Sequence, residues 1–271
     1  MPSVSVILVT YSKPDELKRA IESVLTQSYK DYELIIVDDC STDNTDVVVG
    51  SFIDERIKYI KLESNSGGSF APRIIGQKFS SGKYISVLDD DDFWVDKDKL
   101  SLQVDYLKNH PKCVLVGTNA IGLNGGNKVA IHINYPQDDS VIRSKLLAMN
   151  LFYHSSVMYT RDAYLKIGGY KILNWGRYVS YANEYDLWLQ MGTVGEMANL
   201  PICGVGYNSI PKWIGLKTRI EYARQHINDI RKYKSYYPNY CKAVAIILAI
   251  VVLEVPILVR LKRFVFRKVK R

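Results

Sequence analysis

Four consecutive aspartates, Asp89 to Asp92, follow the apolar run YISVL (residues 84–88) and precede Phe93 and Trp94. Carboxylates packed this closely repel one another at neutral pH, so a chain that keeps them together supplies a cation or a proton to relieve the repulsion. Side chains alternate across an extended strand. If the strand continues, Asp89 and Asp91 share one side and Asp90 takes the other. Such a D-x-D pair suits Mn2+ or Mg2+, hard ions held by one or two carboxylates together with substrate phosphates. The run does not fit an EF-hand loop, which wants glycine at the sixth position and glutamate at the twelfth. A solvated acidic turn is the plain structural alternative, because aspartate is a common turn residue.

A second acidic pair, Asp38-Asp39, also closes an apolar run. VSVILV, YELIIVDD, IKYIKL and KYISVL are short, β-branched and nearly continuously apolar, as strands covered on both faces should be. Between the first two lies a helical pattern, with Ser12 as N-cap, Pro14 in the first turn and an apolar stripe of Leu17, Ile21, Val24 and Leu25. Further helices fit the stretches after Ser41 and from Ser69 to about Ser80. This order predicts an α/β fold with a Rossmann-like, mostly parallel central sheet flanked by helices, whose ligand sits at the carboxyl ends of the strands. Both acidic groups occupy such ends.

After about Lys99 the pattern becomes that of a mixed α/β half. It contains a helix to Asn109, the strand CVLVG, a turn at Gly125-Gly126, the strand VAIHIN, the strand SSVMY and a helix running on from Asp186. Within it His154 reads as a structural histidine, Gly168-Gly169 as a turn, and Trp94 and Trp188 as core or as walls for stacking. Residues 1–100 and 101–213 are thus read as two halves of one domain, and 214–271 as a C-terminal helical basic tail.

That tail sets the charge distribution. The net charge of +8 is uneven: from Pro211 onward fifteen Lys or Arg face three acids, whereas the remainder carries 21 basic and 25 acidic residues. AVAIILAIVVLEVPILV, 17 residues between Lys242 and Arg260, is short for a span and contains Glu254 and Pro256. RLKRFVFRKVKR then interleaves seven positive charges with apolar residues, which suits an anionic membrane surface better than nucleic acid. The opening MPSVSVILVTYSKP does not read as a secretory leader, and four cysteines without CxxC spacing indicate neither a zinc site nor a disulfide framework, so a reducing cytoplasm is expected.

VSVILVTYSKPDELKRAIESVLTQSYKDYELIIVDDCSTDNT resembles the opening of the family 2 glycosyltransferases, inverting enzymes with the GT-A fold. NSGGSFAPRIIG, GKYISVLDDDDFW and NEYDLWLQM follow in that family's order, so the resemblance covers about residues 3 to 195. It implies a nucleotide-sugar donor, a divalent metal on the D-x-D, and a general base on the acceptor side. Thr10 and Tyr11 would flank the nucleotide base, Asp39 would accept a hydrogen bond from it, and Arg73 would contact the nucleotide. Asp89 would hold the ribose or the metal shell, Asp90 would join the nucleotide-binding set, and Asp91 would ligate the metal. Glu184 falls where the base belongs, because Tyr185-Asp186-Leu187-Trp188 matches the family's x-D-L-W and sets the register; Asp186 is the competing candidate. Two departures stand out: the family often has Arg-Asn where this chain has Arg73-Ile74, and commonly Glu-Asp-x-Asp where it has Asn183-Glu184-Tyr185-Asp186.

The reading that results is a UDP-sugar-dependent hexosyltransferase. It would act on a lipid-linked saccharide acceptor in polysaccharide or O-antigen assembly, peripheral to the cytoplasmic face of the cell membrane. The rivals are an inactive membrane-surface saccharide- or nucleotide-binding protein and a sugar nucleotidyltransferase. The latter would place a Gly-rich basic loop where this chain has TYSKPDE. No GxGxxG follows the first strand and no GxxxxGK[ST] occurs.

Overall fold

β1 (Val4–Thr10) and β2 (Tyr32–Asp38) are buried at every position, as their unbroken apolar runs require. Two of their polar interior residues satisfy each other: Ser5 Oγ donates to Glu33 Oε1 at 2.6 Å. The structure, a computed structural model, describes residues 1–124, 129–170, 179–208 and 216–253. The Gly125-Gly126 turn and the basic residues 260–271 fall outside them.

The elements run β1, α1 (Pro14–Leu25), β2, α2 (Thr45–Gly50), β3 (Ile57–Lys61), α3 (Phe70–Phe79), β4 (Tyr84–Asp89), β5 (Asp92–Trp94), α4 (Lys99–Asn109), β6 (Cys113–Leu123), β7 (Val129–Ile133), α5 (Asp139–Leu146), β8 (Met158–Thr160), α6 (Arg161–Lys166), α7 (Val179–Val194), β9 (Glu196–Asn208), α8 (Leu216–Ile230) and α9 (Tyr240–Leu253). The strands form one sheet in the order β3-β2-β1-β4-β8-β6-β9-β5, with β7 on β6. The pairings among β1 to β4 are parallel. Beyond β4 the sheet is mixed, antiparallel at β4·β8, β6·β8, β6·β7 and β5·β9 and parallel at β6·β9. Register sets Thr10 beside Asp38 and Val9 beside Asp89, so the acidic ends of β2 and β4 flank the end of β1.

α1 packs Leu17, Ala20, Ile21 and Val24 into the core through the stripe seen in the sequence. Its N-cap is Lys13, and Ser12 takes another role: at φ +52° its N–H donates to Ser41 Oγ at 2.9 Å. α3 lies close on β1, because a Cβ at Gly76 would come within 2.6 Å of Ile7 Cγ2. Trp94 and Trp188 are buried, the core alternative, and Gly168 and Gly169 turn the chain at φ +78° and +69°. The strand expected at SSVMY is shorter than read. Residues His154–Ser156 form a 3-10 turn, because their polar side chains are taken up in bracing β4 and β5.

The chain divides into two compact units, residues 1–142 with 151–210 and residues 143–150 with 211–271. The sheet belongs to the first. In the second, His226 Nε2 lies 3.1 Å from the carbonyl oxygen of Leu147, and Asn239 Nδ2 donates to that of Ser144 at 3.3 Å. Among the described residues no helix is long and apolar enough to cross a membrane. α9 is nonetheless apolar and leaves Leu248 and Ile250 exposed.

Candidate active site

A cavity of about 620 Å³ opens at the carboxyl ends of β1, β2 and β4, within the range of small-molecule sites. Thr10, Tyr11, Asp39, Arg73, Asp89, Asp90, Asp91 and Glu184 all line it, so every residue nominated from the sequence reaches one place. Parallel strands explain the convergence, since equivalent ends of neighbouring strands lie side by side.

Arg73, buried on α3, joins two carboxylates from distant elements. Its Nη1 donates to Glu184 Oε1 at 2.5 Å and its Nη2 to Asp89 Oδ1 at 2.6 Å. Burial opposes the charge on Arg73, but Asp89 and Glu184 outweigh it and hold the guanidinium above its usual pKa. Burial likewise pushes Asp89 up, yet Arg73 and then His154 pull its carboxyl well below the usual range. His154 Nδ1 stands 3.1 Å from Asp89 Oδ2, and Nε2 lies 4.0 Å from Glu184 Oε1 with no hydrogen-bond partner among the described residues. Asp89, His154 and Glu184 thus bring three potential ligand atoms within 4.8 Å of one another. Arg73 already spans the two carboxylates of that group.

The four aspartates meet four different fates. β4 ends at Asp89, and Asp90-Asp91 turn the chain into β5, so strand alternation does not extend to Asp91 as the sequence reading assumed. Asp90 accepts from Tyr11 N at 3.2 Å and from Lys13 Nζ at 3.1 Å. Burial raises its pKa, partly offset by Lys13. Asp91 projects into solvent, 54% exposed, and accepts from Lys13 Nζ at 2.9 Å. Burial works against the Lys13 charge, and Asp91 and Asp90 more than restore it. Asp92 is interior, accepting from Ser155 Oγ at 2.5 Å and Tyr153 OH at 3.1 Å, and burial followed by the repulsion of Asp89 raises its pKa strongly.

The acidic end of β2 divides in the same way. Asp38 is structural, accepting from Ser41 Oγ at 2.5 Å and Tyr59 OH at 2.6 Å. Asp39 faces the cavity and accepts from Ser66 N at 2.9 Å and Ser66 Oγ at 3.0 Å, which ties the NSGGS loop to the cavity wall. Ser12 and Cys40, beside Tyr11 and Asp39, are non-glycine residues with φ of +52° and +68°. Strained backbone of this kind collects where ligand-facing loops must be aimed.

Tyr11 is 46% exposed, available for stacking a planar ring. On α7, Glu184 belongs to the cavity lining, whereas Asp186 is interior and accepts from Gln190 Nε2 at 2.8 Å. Two polar residues that meet these carboxylates, His154 and Lys13, are not among the site residues the sequence nominates. A lone histidine reads as a structural group, and a lysine beside a helix start carries no spacing signal. Polar residues grouped as His-Ser-Ser in an otherwise apolar stretch were the available clue.

Residues 5–168, more than half of the chain, match the family model described as Glycosyl transferase family 2. The UDP-Glc:alpha-D-GlcNAc-diphosphoundecaprenol beta-1,3-glucosyltransferase WfaP of Escherichia coli is 39% identical over 108 residues, 40% of this chain and 42% of that protein. The match therefore spans about two fifths of that relative's length. The crystal structure of S. aureus TarS 1-349 in complex with UDP-GlcNAc superposes with a TM-score of 0.67 at 18% identity, covering 90% of this chain and 70% of that one. The mannosyltransferase PcManGT from Pyrobaculum calidifontis, in complex with GDP-Man and Mn2+, gives a TM-score of 0.64 at 17% identity, covering 93% and 70%. The ordered motifs, the parallel half-sheet with acidic strand ends and these likenesses agree: the chain belongs to glycosyl transferase family 2 and has the GT-A fold.

Proposed function

We propose that the chain transfers a hexose or N-acetylhexosamine from a UDP-sugar to a hydroxyl of a lipid-linked saccharide, with inversion at the anomeric carbon. The observation that carries this reading is the meeting of Asp39, Arg73, Asp89, Asp91 and Glu184 around one cavity. Tyr11 and Asp39 would take the nucleotide base, and Arg73 and Asp89 the nucleotide beyond it. The chemistry of the donor set fits a divalent ion: Asp91 is a half-exposed hard oxygen ligand that already attracts a cation, Lys13. Mn2+ or Mg2+ held by Asp91 together with Asp89 would neutralise charge on the departing diphosphate.

Glu184 would accept the proton of the acceptor hydroxyl, from within about 3 Å. The hydroxyl oxygen then bonds the anomeric carbon as the bond to the diphosphate breaks on the opposite face and UDP leaves with the electron pair. The transition state has oxocarbenium character, as in other glycosyl chemistry, and an α-linked donor yields a β-linkage. The apolar α9 and the basic sequence that follows it would hold the protein on the cytoplasmic face of an anionic membrane, peripherally, where a lipid-linked acceptor is presented. WfaP, whose name specifies a UDP-Glc donor and a diphosphoundecaprenol acceptor, supports this choice of substrates.

A screen of UDP- and GDP-sugars with Mn2+, Mg2+ or EDTA, read by released nucleotide, tests the proposal. Metal-dependent release of UDP from one UDP-sugar is expected. Release from GDP-mannose alone would replace the donor, and no release from any donor would favour a binding protein.

A further inference from the structure

Lys13 is the loop lysine whose ammonium rests on the aspartate run. Ser12 at φ +52° and the Tyr11 N–H bonded to Asp90 bend the chain after β1 so that Lys13 Nζ reaches Asp90 Oδ1 at 3.1 Å and Asp91 Oδ2 at 2.9 Å. Among the described lining residues the cavity has two cations, Lys13 and Arg73. They are held very differently. Arg73 is 4% exposed and bridges two largely buried carboxylates, while Lys13 is 41% exposed and shared between Asp90, 9% exposed, and Asp91, 54% exposed. The Lys13–Asp91 pair, exposed at both ends, is weak and readily exchanged, and an ammonium on a flexible stem is suited to phosphate oxygens. A nucleoside diphosphate entering this cavity meets five carboxylates and needs a cation that can move to it.

We infer that Lys13 is a diphosphate-binding residue parked on Asp90-Asp91, and that it leaves Asp91 to a divalent cation when it turns to the donor. This rests on the nucleotide-sugar reading of the same cavity. Without a donor, Lys13 and the divalent ion compete for Asp91. With a donor they would act together on the diphosphate.

The experiment uses the whole chain and its Lys13→Met and Lys13→Arg variants, with uridine and UDP binding followed by calorimetry in EDTA and Mn2+ binding without nucleotide followed by electron paramagnetic resonance. Removing one charged hydrogen bond is expected to weaken UDP about tenfold in Lys13→Met and to leave uridine within about twofold, with Lys13→Arg close to wild type. Mn2+ is expected to bind Lys13→Met more tightly than wild type, because its competitor is gone. UDP affinity unchanged, or uridine weakened in parallel with UDP, overturns the inference, since Lys13 would then be a surface ion pair or a structural support. If neither wild type nor variants bind Mn2+, the metal reading of Asp91 fails while the contrast between UDP and uridine still decides Lys13. If wild type binds neither nucleotide, the donor reading falls and this inference with it.

Discussion

Arg73 and Glu184, 111 residues apart in sequence, meet with Nη1 donating to Oε1 at 2.5 Å. The contact joins α3 to α7, the helix proposed to carry the general base. Replacing Glu184 with Gln keeps an acceptor oxygen for Arg73 and removes the capacity to take a proton. Turnover is expected to fall by about 100-fold or more, while donor KM changes little. Asp186→Asn, away from the cavity, is the control. A dead Asp186→Asn beside a normal Glu184→Gln would reverse the two roles.

Asp91→Ala is expected to abolish transfer with little effect on stability. Asp91 is half exposed and its ion pair with Lys13 is solvated, so the lost contact is worth no more than about 1 kcal/mol. Thermal unfolding and transfer in saturating Mn2+ check both halves. More than a few per cent residual activity would remove Asp91 from the metal site.

His154 lies 3.1 Å from the strand carboxylate of Asp89 and 4.0 Å from the helix carboxylate of Glu184, and its loss is expected to cost both stability and rate. His154→Ala strips a partly buried Asp89 of one partner, a loss of about 1–3 kcal/mol by denaturant titration. Turnover should fall in His154→Ala and recover in part in His154→Gln, which keeps a donor at that place. Equal turnover in the two variants would make His154 a packing residue only.

Deleting residues 254–271 removes the basic sequence and leaves α8 and α9 intact. A cut near Lys212 would instead remove His226 and Asn239, which hold the 143–150 segment. The shortened protein is expected to hydrolyse donor as before, to bind anionic vesicles weakly and to use lipid-linked acceptor poorly. Undiminished sedimentation with such vesicles would show that the tail is not what holds it there.

Glu33, on β2 far from the cavity mouth, should make stability depend on pH. Burial pushes its carboxyl up, but Lys58, Ser5 and Ser81 outweigh that and pull it down to about 2 from a usual 4.5. A depressed folded-state pKa gives stability that is fully present above 4.5 and is lost as pH falls through about 2. The deficit of Glu33→Gln against wild type is expected to be of order 2 kcal/mol at pH 7 and to shrink steadily between pH 4.5 and 2. A deficit independent of pH would mean that the cluster acts through shape and not charge.

Residue types and their order determined much of this protein. Continuous β-branched runs require strands covered on both faces, their alternation with amphipathic helices requires a parallel half-sheet, and the carboxyl ends of such strands are where ligands bind. Asp39 and Asp89 to Asp91 could therefore be named from local pattern, whereas Thr10, Tyr11, Arg73 and Glu184 are named only through the resemblance to the family 2 glycosyltransferases. Local pattern could not say how the aspartate run is tolerated. Extended geometry pairs Asp89 with Asp91 only while the strand lasts, and it stops at Asp89. What the four carboxylates face was decided by tertiary structure: Arg73 and His154 for Asp89, Lys13 for Asp90 and Asp91, Ser155 and Tyr153 for Asp92. Each partner lies at least 16 residues from its aspartate in sequence. No periodicity encodes such a distance, because the neutralising groups are brought in by the packing of α3, the 154–156 turn and the loop after β1 around the sheet.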